Sequence, residues 1–185
     1  MDEALDAAMT VFWRKGYEGT SLSDLTEAMS INRPSLYAAF GNKEELFRKA
    51  LERYGQESSV YVREAIAQPT AREVAEALLR GAANLQTDPY TPAGCLAVLG
   101  ATTCAEDSSA IGESLIAFRL AGEAAICERL EQARAEGDLP ADADPEELAS
   151  FIRTVVYGMA VQAASGATRK DLERVIQLTM RGWPE

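Results

Sequence analysis

Between Ser30 and Lys43 the chain carries two bases, Arg33 and Lys43, and no acid. Around them stand Asn32, Ser35, Tyr37 and Asn42, uncharged groups able to donate or accept hydrogen bonds. An arginine fork fits the edge of a guanine or a phosphate, while a lysine meets a phosphate as a point charge. Hydroxyls such as those of Thr20, Ser21 and Ser35, together with helix amino ends at Ser21 and Asn42, suit contacts that fix register on a sugar-phosphate backbone. The tyrosine at position 37 can add a phenol hydroxyl from a helix surface. A set of this kind suits recognition of nucleic acid.

Catalysis has little to work with. The sequence holds no histidine, no glycine-rich phosphate loop and no nucleophile and base at a recognisable spacing, so acid-base or metal chemistry would fall to carboxylates alone. No enzyme, cofactor or metal site is expected. Three widely spaced cysteines, Cys95, Cys104 and Cys127, argue against a disulfide framework. Cys95 follows Gly94 at the start of a helical stretch, where a thiol is most easily activated.

The formal net charge of -11 opposes DNA binding until it is located. Residues 1–54 hold seven bases against nine acids, whereas the remainder holds eleven against twenty. The acidity therefore sits in the body and would be repelled from a duplex, orienting the molecule head-on.

The elements that must position these groups follow from capping and periodicity. Ser21 with Asp24 forms a capping box for a short helix whose Leu22, Leu25 and Met29 face inward. Ser30 and Ile31 make the turn, Asn32 caps a second helix over about 33–40, and Pro34 fits its first turn. Leu36 and Phe40 anchor that helix and leave Arg33, Ser35, Tyr37 and Ala38 outward. Gly41 stops it, and Asn42 with Glu45 opens the next. Two short helices around a tight turn form a helix-turn-helix, whose second helix enters the major groove. Before it, residues 2–15 read as a supporting helix. After it, helices are expected over about 43–68, 72–87, 95–105, 108–137, 146–164 and 169–181, with loops at Pro69, at Asp88 to Pro92 and at Pro140 to Pro145. The result is an all-α fold of about nine helices.

The pattern Ala4 to Phe12, Gly16-Tyr17, Gly19-Thr20-Ser21, Leu25, Ala28, Leu36-Tyr37, Phe40 and Lys43-Glu44-Glu45-Leu46 resembles the DNA-binding domain of TetR family transcriptional regulators. The resemblance implies a head over residues 1–48 and a helical ligand-binding and dimerisation body over residues 49–185. It implies a ligand-responsive repressor that acts as a homodimer on a double-stranded DNA operator, and a cytoplasmic location is expected from the acidic start and the lack of a long apolar stretch. It also implies an inducer pocket for an unidentified small-molecule effector; Tyr61, Cys95, Leu99, Thr103, Phe118, Met159 and Gln162 are the candidate lining, although residues at such helical spacing are more often plain core. Many relatives carry a basic arm ahead of the first helix, and Met1-Asp2-Glu3 offers none.

The helix over 146–164 is apolar on more than one side, too wide a stripe for one face in water. Phe151 and Val155 there, with Leu172, Val175, Ile176 and Met180 of the final helix, are the candidate dimer interface, as a palindromic operator demands. Two other functions remain open: an acidic helical interaction module that no longer binds DNA, and a thiol-based redox or soft-metal sensor of the same fold. No stretch reaches the roughly 18 apolar residues of a membrane span, and no membrane partner is expected.

Overall fold

A computed structural model describes residues 2–100 and 109–184, all of whose regular elements are helices. In chain order they are α1 (Asp2–Lys15), α2 (Leu22–Ala28), α3 (Arg33–Phe40), α4 (Lys43–Ile66), α5 (Ala71–Gln86), α6 (Leu96–Leu99), α7 (Ser109–Ala135), α8 (Pro145–Ala164) and α9 (Arg169–Arg181). The chain divides into two compact units, one of residues 1–57 and 95–118 and the other of 58–94 and 119–185. The first thus extends past residue 48 along α4 and also takes in α6 and the start of α7.

Local chemistry sets the boundaries in the first unit. Ser21 and Asp24 form the reciprocal capping box of α2, with Ser21 Oγ accepting from Asp24 N at 3.1 Å and Asp24 Oδ2 accepting from Ser21 N at 2.9 Å. Asn32 Oδ1 accepts from Ser35 N at 2.9 Å and starts α3. Asn42 Oδ1 accepts from Glu45 N at 2.9 Å and starts α4. Gly41 ends α3 with φ +79, and a Cβ there would lie 1.5 Å from the Glu45 carboxylate that completes the α4 cap. Only glycine fits both demands.

The unit is centred on aromatic rings. Phe12 of α1 meets Phe47 of α4 edge to face at 5.0 Å, and Trp13 meets Tyr54 in the same manner at 4.9 Å. Leu25 of α2 and Leu36 and Phe40 of α3 are buried, which seats the helix-turn-helix by its inner stripe. At the rim, Arg53 Nε lies 3.0 Å from Asp6 Oδ1 and ties α4 to α1.

The second unit packs α5 against α8 and α9. Val74, Leu78 and Leu79 of α5 join Ile126 and Leu130 of α7, Ile152 and Met159 of α8, and Leu172, Ile176 and Met180 of α9 in one core. Gln86 is buried there, its amide donating to the Val156 carbonyl at 3.1 Å. Thr70 and Thr168 cap α5 and α9 with boxes completed by Glu73 and Asp171.

Candidate nucleic-acid interface

The outward face of α3 carries the groups expected of a reading helix. Arg33, Pro34, Ser35, Tyr37 and Ala38 are all exposed, Tyr37 at 48%. Leu36 and Phe40 hold the opposite face inside, so the outward set is presented by a helix fixed from behind. Arg33 Nη2 donates to Ser23 Oγ at 3.2 Å, which rests the guanidinium across the start of α2. Ser23 carries no pattern in the sequence that would single it out.

The polar caps flank this face. Ser21 and Asn32 are exposed, and their side-chain oxygens already accept from their own helices. Asn42 caps α4 in the same manner and is exposed. These residues orient helix amino ends, where backbone N–H groups and the helix dipole favour a phosphate. Lys43 follows at the first position of α4, half-buried, with its ammonium 4.3 Å from the centre of the Tyr17 ring. Burial draws its pKa below the ordinary lysine range, and the charge of Glu18 partly offsets that.

Thr20 departs from its expected role. Its side chain is buried, 1% exposed, and Oγ1 donates to the Gly16 carbonyl at 2.6 Å. The hydroxyl closes the connection between α1 and α2 and does not face a backbone phosphate. Nearby, Asp24 pairs with Lys15 Nζ at 2.6 Å. That lysine, then the Ser21 amide and hydroxyl, hold the Asp24 carboxyl well below the usual carboxylate range.

The expected pocket residues include members of both units. Cys95, Leu99 and Phe118 belong to the first, where Tyr54 Oη donates to Cys95 Sγ at 3.1 Å and the Phe118 ring lies 6.0 Å from that of Tyr54. Tyr61 and Met159 belong to the second and pack into its core. Tyr61 lies close over Gly81, where a Cβ would come within 2.6 Å of the ring. Gln162 lies exposed on α8. Thr103 and Cys104 lie outside the described residues. Burial and the surrounding carboxylates push the Cys127 thiol upward, Glu131 foremost among them.

The expected interface residues also divide. Phe151 and Val175 are exposed, at 48% and 40%, and Val155 is half-buried. Leu172, Ile176 and Met180 point the other way into the core of their own unit, because the inward stripe of α9 is the one that meets α5. Their assignment to an intersubunit face is corrected. Leu178, 70% exposed on the outer side of α9, joins the exposed apolar set, although a lone leucine off the main stripe carries no periodic signal in the sequence. Among the described residues no helix is long and apolar enough to cross a membrane.

Comparison with known proteins agrees with this geometry. Residues 4–50 match the family described as bacterial regulatory proteins, tetR family, and residues 71–179 match a tetracyclin repressor-like C-terminal domain. The chain is 37% identical over 190 residues to the HTH-type transcriptional repressor ComR of Escherichia coli K12, covering 100% of this chain and 89% of that protein. A cysteine-substituted form of the TetR family transcriptional regulator CifR, solved with 26-base-pair double-strand operator DNA, is 45% identical. It superposes with a TM-score of 0.95 over 100% of this chain and 96% of that one. A protein from Rhodococcus sp. RHA1 assigned as a TetR transcriptional regulator is 42% identical, with a TM-score of 0.66 over 98% of each chain. ComR and CifR are transcriptional regulators rather than enzymes. With both of its parts matched, and with an exposed reading helix flanked by capped amino ends, this chain belongs to the TetR family of DNA-binding transcriptional regulators.

Proposed function

We propose that this protein is a repressor that binds a palindromic operator as a homodimer and leaves it when a small molecule occupies the body. The observation that carries the proposal is the exposed face of α3, where Arg33, Ser35 and Tyr37 stand beside Lys43 at the start of α4 with no acid from Ser30 to Lys43. Arg33 supplies base discrimination in the major groove, while Lys43 and the amino ends of α2 and α4 hold phosphates. Residues 1–48 serve as the reading head and residues 49–185 as the sensing and pairing body, acting in the cytoplasm by binding alone. The repressor name of the Escherichia coli relative and the operator bound to CifR support the assignment.

Pairing is required because one head holds few bases, and two half-sites about one helical turn apart double its contacts. Phe151, Val155, Val175 and Leu178 form the surface proposed for it. An effector shifts operator affinity only by its differential affinity for the DNA-competent and DNA-incompetent states. Selection of bound genomic fragments at two salt concentrations tests the proposal. One palindromic sequence should be enriched, with affinity falling steeply as salt rises, and enrichment of no sequence would refute it.

A further inference from the structure

We infer that Tyr17 is a positioning residue for DNA binding: the face of its ring holds the Lys43 ammonium at the amino end of α4 without neutralising it. The inference rests on the assignment of Lys43 as a phosphate contact. Lys43 Nζ lies 4.3 Å from the ring centre, within the roughly 6 Å over which an aromatic face attracts a cation. The ring is itself fixed from behind. It stacks on Phe12 at 6.3 Å and 16°, and meets Phe47 nearly edge-on at 5.3 Å and 78°, both of them fully buried.

Lys43 is restrained by a ring rather than by a carboxylate, as Lys49 is at the longer distance of 5.6 Å over Phe40. Lys15 is held by Asp24 at 2.6 Å, Arg48 by Glu44 at 2.6 Å and Arg53 by Asp6 at 3.0 Å. In each case a carboxylate offsets the charge and would have to be displaced by a phosphate. Among the described residues no ion pair ties Lys43 to a carboxylate, and Glu18 acts on it only through its field. An aromatic face restrains a flexible four-carbon stem yet leaves the positive charge uncancelled. Lys43 is also half-buried, and that burial draws its pKa below the ordinary lysine range.

The test uses the full chain and a mixed-sequence DNA duplex, since a phosphate contact is indifferent to sequence. Affinity is measured across a salt series for the parent, Lys43→Gln, Tyr17→Phe, Tyr17→Leu and the double variant Tyr17→Leu/Lys43→Gln. Lys43→Gln should weaken binding and flatten the salt slope by about one for each phosphate it no longer neutralises. Tyr17→Leu should weaken binding about threefold to tenfold, and Tyr17→Phe by less than about twofold, since phenylalanine keeps the ring face. In the Lys43→Gln background Tyr17→Leu should have no further effect.

Equal losses for Tyr17→Leu with and without Lys43 would overturn the positioning role while leaving Lys43 as a phosphate ligand. Equal losses for Tyr17→Phe and Tyr17→Leu would overturn it as well, by placing the function on the hydroxyl. If Lys43→Gln alone leaves affinity and slope unchanged, the phosphate contact itself fails and the inference with it. Thermal unfolding of each variant separates these outcomes from loss of the fold, and Tyr17→Met, apolar and of similar bulk without a π face, replaces Tyr17→Leu if the latter does not fold.

Discussion

Lys15 Nζ and Asp24 Oδ1 stand 2.6 Å apart, so the carboxylate that caps the first helix of the helix-turn-helix also ties it to α1. The same carboxyl has its pKa depressed, by Lys15 first and by Ser21 second. A depressed carboxylate contributes stability that is present above its unfolded pKa of about 4 and is lost as pH falls toward its folded value. The melting temperature of Asp24→Asn should therefore lie below that of the parent at pH 6. The gap between them should narrow as pH is lowered below about 4. A gap that stays constant from about pH 6 to about pH 3 would remove the assigned role of the pair.

Thr20 offers a test of a hydroxyl that the sequence suggests for DNA and the structure uses inside. Thr20→Val keeps the shape but leaves the Gly16 carbonyl without the 2.6 Å bond. A loss of about 1 kcal/mol in denaturant unfolding is expected, with operator affinity unchanged below the transition. A variant of full stability and weakened affinity would return Thr20 to the DNA face.

The capping boxes and the outward set of α3 were legible because their chemistry is local. Ser21 and Asp24, Asn32 and Ser35, and Asn42 and Glu45 each meet across three residues, and a spacing of four puts Leu36 and Phe40 on one side of α3. The approach of Lys43 to Tyr17 was not, since the two are brought together by the packing of Phe12 on Phe47. Periodicity showed that α9 has an apolar stripe but could not say what it meets. The stripe of Leu172, Ile176 and Met180 faces α5 in the same chain. Burial of Thr20 depends likewise on where α1 ends against α2, a relation between helices rather than a spacing within one.

Ser30 occupies the turn with φ 53, in the left-handed region, as the one non-glycine residue of positive φ among those described. That conformation costs an ordinary L-residue roughly 1 to 2 kcal/mol, while glycine forfeits roughly 0.5 to 1 through the unfolded chain. Ser30→Gly should gain about 0.5 kcal/mol or come out neutral, whereas the β-branched Ser30→Val should lose at least about 1 kcal/mol. Urea unfolding curves of the two variants provide the check, and a stabilised Ser30→Val would contradict the geometry.

The outer faces of α8 and α9 carry the proposed pairing surface. Phe151 and Leu178 lie outside the buried core of their own unit, so Phe151→Glu and Leu178→Glu should both retain the helical fold. Sedimentation should show dimers for the parent and a shift toward monomer for each variant, with operator affinity falling together with dimerisation. Variants that remain dimeric with parental affinity would place the interface elsewhere.

The most direct test of the DNA-reading face compares Arg33→Ala and Lys43→Gln on the operator enriched from genomic fragments and on a scrambled duplex of equal length. Lys43→Gln should weaken both duplexes by the same factor and flatten the salt dependence, because it removes a phosphate ligand. Arg33→Ala should weaken the operator by a further about 1 to 3 kcal/mol relative to the scrambled sequence, because it removes base discrimination. Equal losses on both duplexes for both variants, or no loss for either, would contradict the assignment of α3 and the start of α4 as the surface that reads DNA.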